Sequence, residues 1–404
     1  RQRSLNLRNK KGKRVKILLT GGGTAGHVTP LLAVASEIKT QQPSASIRYM
    51  GERGKDALNK LAQDSTEVEQ CTTIYAGKLR RFHGKSIAWY LTQPKIIFWN
   101  TRDIVLLSIG FVEAIIRLLF WRPDVVFAKG GYVSLPVGLA AALLRVPIVI
   151  HDSDTLPGLT NRILSRYATK IGVGQPVENY PQYAKKKLVY CGVPISKAYY
   201  TQPPQEQSKK MLQIPSNSKL IAIIGGSQGA VRLNEAVVSQ LDTIMQDETI
   251  YIHWICGSTH YSQLKNILGK KNYKGRVVLE QFTNELPTIL NAADVAVSRT
   301  GATSLAELAA LAKPTILVPN PLLTGGHQIK NGDMYKHYNA ATVLSENEIR
   351  QNPALLATAV EEILNDASIR DTYRRNLERL AEPHAALKIA NIIITTSGVM
   401  RKVD

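Results

Sequence analysis

Two stretches of this 404-residue sequence decide its fold: Lys16–Gly26 (KILLTGGGTAG) and Lys219–Gly229 (KLIAIIGGSQG). Each is an apolar run that is typical of a buried strand, followed by a glycine-rich turn. Helical periodicity follows each turn, over Leu31–Lys39 and Leu233–Met245. Because a strand, a glycine turn and a helix open a Rossmann-like domain, the repeat predicts two such domains in tandem.

The rest of the chain alternates between strand and helix patterns in the same way. Runs rich in valine and isoleucine, such as Val125–Phe127 and Pro147–Ile150, end in polar or glycine-rich turns. This alternation predicts an α/β fold with doubly wound parallel sheets. The polar stretch Tyr200–Lys210 (YTQPPQEQSKK) is typical of a linker. We therefore expect a first domain over 1–198, a second over 199–382, and a final segment, 383–404, with a short helix over Pro383–Ser397.

The charged residues are distributed unevenly along the chain. The formal net charge is +20, and 44% of the residues are hydrophobic, which is enough for a sizeable core and excludes a mainly disordered chain. Residues 1–200 carry 30 basic and 12 acidic side chains, whereas residues 201–404 carry 21 and 19. This split indicates that one half meets a polyanionic surface. The sequence has no helix-turn-helix spacing, zinc finger or aromatic RNA-binding motif, so we do not expect a nucleic-acid partner.

Cysteine usage and the N-terminus indicate the compartment. Cys71, Cys191 and Cys256 stand far apart without CxxC spacing, which favours neither a disulfide framework nor a zinc site, and fits a reducing cytoplasm. Eight basic residues within Arg1–Lys16 lead directly into a strand pattern, with no apolar signal region. No run reaches the roughly 18 consecutive apolar residues that a membrane span needs.

One segment, Tyr75–Arg122, departs from the strand and helix rhythm. It is too often interrupted by charges for a span, but it mixes cations with aromatic rings in the way of a helix at a membrane interface. The alternative is two amphipathic helices packed on the sheet, which we favour for most of its apolar residues. Its basic and aromatic residues are Lys78, Arg80, Arg81, Lys85, Lys95, Trp89, Tyr90, Phe98, Trp99, Phe111, Phe120 and Trp121.

The first glycine turn, Gly21–His27 (GGGTAGH), matches the phosphate-binding pattern G-x-G-x-x-G. Glycines let the backbone approach a phosphate, and a helix N-terminus offers N–H groups. A nicotinamide cofactor would also require an acidic residue about 20 positions on, and Glu52, 26 positions after Gly26, fits poorly. His27 at the edge of this loop instead favours a general base that takes a proton from a hydroxyl nucleophile. A histidine that only caps the helix is the alternative.

The second half contains residue types suited to a nucleoside diphosphate. In Gly225–Ala230 (GGSQGA), Ser227 offers a hydroxyl to a phosphate. In Ser298–Glu307 (SRTGATSLAE), Arg299 and the helix N-terminus suit a pyrophosphate and Glu307 suits ribose hydroxyls. The alternative is a helix cap made by Thr303 or Ser304. A polar loop further on suits sugar hydroxyls through His327, Gln328 and Asn331.

The motif His151–Asp154 (HDSD) contains an Asp-x-Asp pair, which in some glycosyltransferases holds a divalent metal. Because two carboxylates are a minimal site and no further carboxylate cluster is evident, we expect no metal here. The favoured interpretation is a polar loop at the end of a strand.

Together these motifs resemble the MurG family, bacterial UDP-GlcNAc transferases that convert lipid I to lipid II in peptidoglycan synthesis and so serve cell-wall growth, shape and division. The resemblance runs from about Val15 to Ser397 and lies in the order and spacing of six segments: Thr20–Pro30, Pro123–Pro136, His151–Asn161, Gly225–Asn234, Arg299–Glu307 and His327–Asn331. It implies a GT-B fold, with two Rossmann-like domains facing across a cleft and the C-terminal helix returning to the first. It also implies no metal or other cofactor, and peripheral attachment to the cytoplasmic face of the cell membrane.

The resemblance also implies site residues. His27 becomes the base, and Gly22, Gly23 and Asn161 bind the acceptor diphosphate. The implied donor-binding residues are Thr24, Ala25, Gly26, Asp154, Ser196, Ser227, Phe282, Thr283, Arg299, Ala302, Thr303, Ser304, Leu305, Ala306, Glu307, His327 and Gln328. Two of these depart from the family pattern, because Asp154 stands where an asparagine is expected and Ser196 where an arginine is expected. Lys197 is a candidate for the missing charge.

The sequence therefore predicts an inverting hexosyltransferase that moves GlcNAc from UDP-GlcNAc to an undecaprenyl-diphosphate-linked muramyl peptide at an anionic membrane surface. One alternative is a transferase to another glycolipid, or a UDP-sugar epimerase, on the same fold. Another is a membrane-bound subunit that binds a UDP-sugar without catalysis of its own.

Overall fold

A computed structural model describes residues 14–80, 89, 92–226, 230–321 and 326–398. These residues form two compact α/β units, each built on a parallel sheet, so the prediction of two Rossmann-like domains in tandem is confirmed. The described residues as far as Ser196, together with those from His384 onward, make the first unit. Lys197–Pro383 makes the second.

The first unit contains a seven-stranded sheet with the order β3-β2-β1-β4-β5-β6-β7. Alternate residues of the central strand enter different cores, Ile17 and Leu19 on one face and Leu18 on the other, as expected for a sheet covered on both faces. The strands are β1 (Lys16–Thr20), β2 (Ser46–Glu52), β3 (Gln70–Ile74), β4 (Val125–Ala128), β5 (Ile148–Asp152), β6 (Lys170–Val173) and β7 (Leu188–Tyr190). The helices are α1 (Ala25–Gln41), α2 (Asp56–Gln63), α3 (Pro94–Trp121), α4 (Ser134–Leu143) and α5 (Leu159–Leu164).

The second unit repeats this plan with a six-stranded sheet in the order β10-β9-β8-β11-β12-β13. The strands are β8 (Lys219–Ile224), β9 (Ile250–Ile255), β10 (Val277–Glu280), β11 (Val295–Ser298), β12 (Thr315–Leu317) and β13 (Thr342–Val343). The helices are α6 (Gln205–Met211), α7 (Val231–Ile244), α8 (Tyr261–Leu268), α9 (Leu286–Ala292), α10 (Ala302–Ala310), α11 (His327–His337), α12 (Glu346–Gln351), α13 (Ala354–Asn365) and α14 (Ala367–Leu380).

The order of strands in each sheet locates a crevice for a ligand. The order reverses between β1 and β4 in the first unit and between β8 and β11 in the second. In such sheets the helices after the two central strands leave on opposite faces, which opens a crevice at the carboxyl ends of those strands. Both glycine turns recognised in the sequence follow a strand at one of these positions, β1 or β8.

The prediction of a linker over Tyr200–Lys210 is wrong for the second half of that stretch. Residues from Gln205 onward form α6, and Ser208 is fully buried. Asn291 of α9 donates a hydrogen bond to the Ser208 hydroxyl at 2.9 Å, and the Gln205 amide donates to the Ala293 carbonyl at 3.0 Å. Polar side chains that suggested a flexible connection therefore hold a helix on the second unit.

The last helix, α15 (Ala385–Thr396), follows the second unit in sequence but packs in the first. Ile389 and Ile393 are buried in the same core as Val34 and Ile38 of α1. This arrangement completes the α1 side of the first sheet with residues from the end of the chain.

Helix α3 is a single helix of 28 residues with a narrow buried stripe made of Asp103, Gly110, Ala114 and Leu118. Phe98 is 65% exposed and Phe120 is 89% exposed. The expectation that most apolar residues of this segment are buried in two amphipathic helices is therefore wrong for its described part. Within the described ranges, α3 is the one helix long and apolar enough to cross a membrane, so the expectation that charges interrupt this segment too often for a span does not hold for α3 by length and composition.

Candidate functional site

The first glycine loop lies at the reversal point of the first sheet and packs on the loop that follows β4. A side chain is excluded at Gly131, whose Cβ would lie 2.3 Å from the Gly22 carbonyl oxygen, and whose φ is +77°. Gly23 has a φ of +91°. The two loops therefore meet backbone to backbone at Gly22 and Gly131, an approach that only glycine allows.

The predicted base, His27, lies in the first turn of α1. The Nδ1 atom of its ring is 3.0 Å from the Thr24 hydroxyl, and its backbone N–H donates to the Thr24 carbonyl at 3.1 Å. If Nδ1 carries the ring proton and donates to Thr24, Nε2 has the lone pair that a general base requires. The first turn, which also contains Ala25 and Gly26, has no acidic side chain to offset the positive end of the helix dipole.

Asn161, the third residue predicted to bind the acceptor diphosphate, lies close to the two glycine loops described above. Its amide donates to the His151 carbonyl at 3.0 Å, and its Oδ1 is buried with no hydrogen-bond partner among the described residues. A Cβ at Gly130 would lie 3.4 Å from that oxygen. The structure therefore brings Asn161 to the β4–α4 loop, which packs on Gly22 of the first glycine loop.

A buried cluster of ionisable side chains surrounds the end of β5. Burial raises the pKa of Asp152 to about 7, although the Tyr183 hydroxyl donates to this carboxyl at 2.6 Å and works in the opposite direction. Burial and the charge of Lys129 hold the pKa of His151 well below its ordinary value. The neutral His151 ring therefore donates from Nε2 to the Gly192 carbonyl at 2.9 Å.

Sequence reasoning missed Lys129 and Tyr183. Lys129 is the residue between β4 and the pair Gly130–Gly131, and burial lowers its pKa to about 8. A lysine directly after the apolar run Val125–Ala128 (VVFA), in front of two glycines, was the available signal. Nothing in the sequence around Tyr183 relates it to Asp152, because the contact is made by the fold.

In the second unit, two helix N-termini are held together. The Thr300 hydroxyl donates to the Gln328 carbonyl at 2.7 Å, and the Asn331 amide donates to the Thr300 carbonyl at 3.0 Å. These bonds join the start of α11 to the loop before α10. A backbone N–H of Asn320 donates to the Gln328 side-chain oxygen at 2.9 Å, which fixes the side chain predicted to bind the sugar. The role of Thr300 was missed by sequence reasoning.

Glu307 is half-buried in the second turn of α10. Burial raises the pKa of its carboxyl to about 7, and a hydrogen bond from the Tyr199 side chain works in the opposite direction. The carboxyl that was predicted to bind ribose hydroxyls therefore lies in the same helix whose N-terminus was predicted to bind the pyrophosphate. Tyr199 was not singled out in the sequence.

Arg299 is engaged inside the second unit. Its Nη2 lies 2.6 Å from Glu346 Oε1, and its Nη1 donates to the Val318 carbonyl at 3.0 Å. Arg232 contacts the other oxygen of Glu346 at 2.8 Å. Arg299 is only 8% exposed, and these contacts connect the β11–α10 loop to α12. The contact of Arg299 with a pyrophosphate stays a prediction.

The remaining predicted donor residues fall into two groups. Thr24, Ala25 and Gly26 lie in the first unit with Asp154, which is half-buried, and Ser196, which is exposed. Ser227 lies outside the described residues. The others belong to the second unit: Phe282, exposed after β10; Thr283, whose hydroxyl accepts from the Glu285 N–H; Ala302 and Leu305, buried; Thr303, Ser304 and Ala306, half-buried at the start of α10; and His327, the first residue of α11.

No three histidine, cysteine, aspartate or glutamate side chains come close enough to hold a metal ion among the residues that the structure describes. The Asp-x-Asp pair of the β5–α5 loop instead has a buried ammonium, that of Lys129, as its electrostatic partner.

The chain was compared with known protein families and structures. Residues 17–173 match the family model described as the glycosyltransferase family 28 N-terminal domain, and residues 220–392 match its C-terminal domain. A relative from Listeria monocytogenes serovar 1/2a is 32% identical over 94% of this chain and 99% of its own length. A relative from Bacillus pumilus is 30% identical over 95% and 100%. Both are named UDP-N-acetylglucosamine–N-acetylmuramyl-(pentapeptide) pyrophosphoryl-undecaprenol N-acetylglucosamine transferase.

Solved structures agree on the fold. The crystal structure of MurG from Acinetobacter baumannii superimposes with a TM-score of 0.65 at 22% identity, over 95% of this chain and 100% of that one. A UDP-N-acetylglucosamine 2-epimerase superimposes with a TM-score of 0.66 at 12% identity, over 96% and 97%. At these identities the likeness concerns the GT-B fold alone, and the relatives decide between the two activities. The chain therefore belongs to glycosyltransferase family 28 and, within it, to the MurG family of UDP-N-acetylglucosamine–N-acetylmuramyl-(pentapeptide) pyrophosphoryl-undecaprenol N-acetylglucosamine transferases.

Proposed function

We propose that this chain moves GlcNAc from UDP-GlcNAc to an undecaprenyl-diphosphate-linked muramyl peptide, with inversion at the anomeric carbon. The observation that carries the proposal is the pairing of His27 with Thr24 beside a backbone-lined loop, in a chain of this family. We assign the base and the acceptor to the first unit and the nucleotide to the second, which agrees with the excess of cations in residues 1–200.

The proposed reaction begins at the acceptor hydroxyl. Its oxygen attacks the anomeric carbon of the donor while its proton passes to Nε2 of His27, and Nδ1–H donates to Thr24. The bond from the anomeric carbon to the UDP oxygen breaks, and UDP leaves with the electron pair. The charge that develops on UDP is stabilised by the N-termini of α10 and α11 and by Ser227, in the manner of an oxyanion hole.

We propose that the reaction needs no metal or other cofactor. The positive charge near the Asp-x-Asp pair comes from Lys129, and the phosphates are held by backbone N–H groups and helix dipoles. Turnover that is unchanged by an excess of EDTA supports this point. A loss of activity that is restored by a divalent cation contradicts it.

The exposed face of α3 supports attachment to the cytoplasmic surface of the membrane. The Trp99 ring lies close to two cations, with its centroid 5.2 Å from the Arg80 guanidinium and 5.1 Å from that of Arg102. The inner face of α3 is tied to the first unit, because Glu113 pairs with Arg53 at 2.7 Å and Arg117 donates to the Thr73 carbonyl at 3.0 Å. A span would break these contacts, so we propose that α3 lies in the interface as a peripheral anchor.

The release of UDP tests the proposed function against its alternatives. Purified protein is mixed with UDP-GlcNAc, with and without the lipid-linked muramyl peptide in detergent. A transferase to this acceptor releases one UDP for each sugar transferred, and only when the acceptor is present. An epimerase changes the sugar without the acceptor, and a binding subunit retains UDP-GlcNAc without turnover. Either result would overturn the proposal.

A further inference from the structure

A buried lysine lies beside the predicted acceptor site and has no part in the reaction described above. Lys129 is 3% exposed. Its backbone N–H donates to the Thr20 carbonyl at 3.0 Å, which fixes it between the ends of β4 and β1. A Cβ at Gly21 would lie 3.3 Å from the Lys129 Cβ, so the lysine packs directly under the first glycine loop.

The side chain of Lys129 reaches the loop that follows β5. Its ammonium donates to the Ser153 hydroxyl, its one hydrogen-bond partner among the residues that the structure describes, although an ammonium has three donors. The negative charges of Asp154 and, less strongly, Asp152 favour its charged form. Burial lowers the pKa of Lys129 to about 8, so the group is mainly a cation at pH 7.

The charge of Lys129 compensates nearby carboxylates. Asp152 ends β5 and Asp154 lies in the loop that follows, while Asn161 of α5 lies against Gly130 of the loop where an anionic diphosphate is expected. Carboxylates near that position repel a diphosphate unless a cation compensates them. The resemblance to the family implies an asparagine at position 154, and relative to that expectation this chain has one more negative charge to neutralise.

We propose that Lys129 is a positioning residue for the acceptor: its buried ammonium neutralises the Asp152–Asp154 loop and so lets that loop lie beside a diphosphate. The inference rests on the proposed function. It differs from a purely structural role, because removal of the lysine should weaken acceptor binding more than donor binding, and removal of one negative charge should restore the acceptor binding.

A double-mutant cycle over Lys129→Met and Asp154→Asn tests the proposal. The Michaelis constants for the lipid-linked muramyl peptide and for UDP-GlcNAc are measured for the wild type, both single variants and the double variant. We expect Lys129→Met to raise the acceptor constant by about tenfold, and Asp154→Asn in that background to lower it by about fivefold, as coupled charges do. For Lys129→Met the constant for UDP-GlcNAc should change less than about twofold.

Lys313→Met is the matched control. Lys313 is a buried lysine of the second unit that donates to the Ala293 and Asn291 carbonyls. Its loss should lower the melting temperature without changing the acceptor constant, and Asp154→Asn should not compensate it. The proposal is overturned if Lys129→Met acts on both Michaelis constants equally, or if Asp154→Asn does not compensate it.

Thermal unfolding of the four proteins separates this inference from the proposed function. The charge pairing predicts that Asp154→Asn raises the melting temperature of Lys129→Met, whether or not the wild type turns over this acceptor. An inactive wild type that still shows this coupling refutes the function and retains the pairing. If Lys129→Met does not fold, the double variant must fold, and a double variant that also fails overturns the proposal.

Discussion

The contact between Thr24 and His27 assigns different tasks to the two ring nitrogens. We expect His27→Ala to lower turnover by roughly 10²–10⁴-fold with little change in affinity for UDP, because general-base catalysis is lost. Thr24→Val removes the partner of Nδ1 at 3.0 Å and should lower turnover about tenfold, since the base then loses its fixed tautomer. Single-turnover kinetics with saturating donor measure both effects. Activity of His27→Ala within a few-fold of the wild type would make His27 a helix cap.

Glu307 gives donor binding a dependence on pH. Its pKa of about 7 means that the carboxyl is protonated below that value in the free protein. Ribose hydroxyls donate to the ionised form, so UDP-GlcNAc should bind more tightly as the pH rises from 6 to 8. Glu307→Gln should weaken binding by about 1–3 kcal/mol at pH 8 and flatten the profile. Calorimetry at several pH values measures this, and equal profiles for variant and wild type would remove Glu307 from the site.

At this scale the sequence predicts residue types at the ends of strands, and it does not predict their distant partners. His27 and Gln328 could be recognised because each lies in a short motif beside a helix N-terminus. The pairing of Arg299 with Glu346 depends on the fold bringing α12 to the β11–α10 loop, which no local pattern contains. The same reason applies to Tyr199 beside Glu307, since more than a hundred positions separate them.

Helix α3 is the element on which membrane attachment depends. The protein should sediment with vesicles that contain anionic lipid and should be released only partly by high salt, because each cation contributes about 1 kcal/mol that is screened whereas inserted rings are not screened. Phe98→Ser combined with Phe120→Ser should reduce the remaining binding without lowering the melting temperature, since both rings are exposed.

A matched control for α3 lies in the second unit. Tyr338 is 51% exposed, and Tyr338→Ser should leave vesicle binding unchanged. Complete release by salt would mean that electrostatic attraction alone holds the protein on the membrane. No binding to anionic vesicles would contradict the proposed interface.

The elements differ in how far their sequences predicted them. The strand, glycine turn and helix of β1–α1 combine three local signals that agree. In α3 an apolar composition suggested burial, yet only a narrow stripe of the helix is buried, and Gly110 in that stripe lies so close to the Tyr75 carbonyl that a Cβ has no room there. Whether the other faces of α3 are exposed depends on which parts of the fold cover them. The spacing of apolar residues along the sequence does not predict that.

At the scale of the whole molecule, helix α15 near the C-terminus stabilises the first unit by packing on α1. Ile389 and Ile393 of α15 are almost completely buried with α1. Replacing either with alanine should lower the free energy of unfolding of the first unit by about 2–5 kcal/mol, because each change leaves a cavity. Urea denaturation followed by a probe in the first unit measures this. The matched change Ile363→Ala in α13 should destabilise the second unit instead, and equal effects on both units would contradict the assignment of α15.

The central claim is the inverting transfer of GlcNAc to a lipid-linked diphosphate, and the product reports on it most directly. Purified protein is incubated with UDP-GlcNAc and the undecaprenyl-diphosphate-linked muramyl peptide, and the anomeric configuration of the new glycosidic bond is read by NMR. The account predicts a disaccharide on the lipid with the configuration opposite to that of the donor, formed by the wild type and nearly absent with His27→Ala. A product that retains the configuration of the donor, or no product with active donor binding, would contradict it.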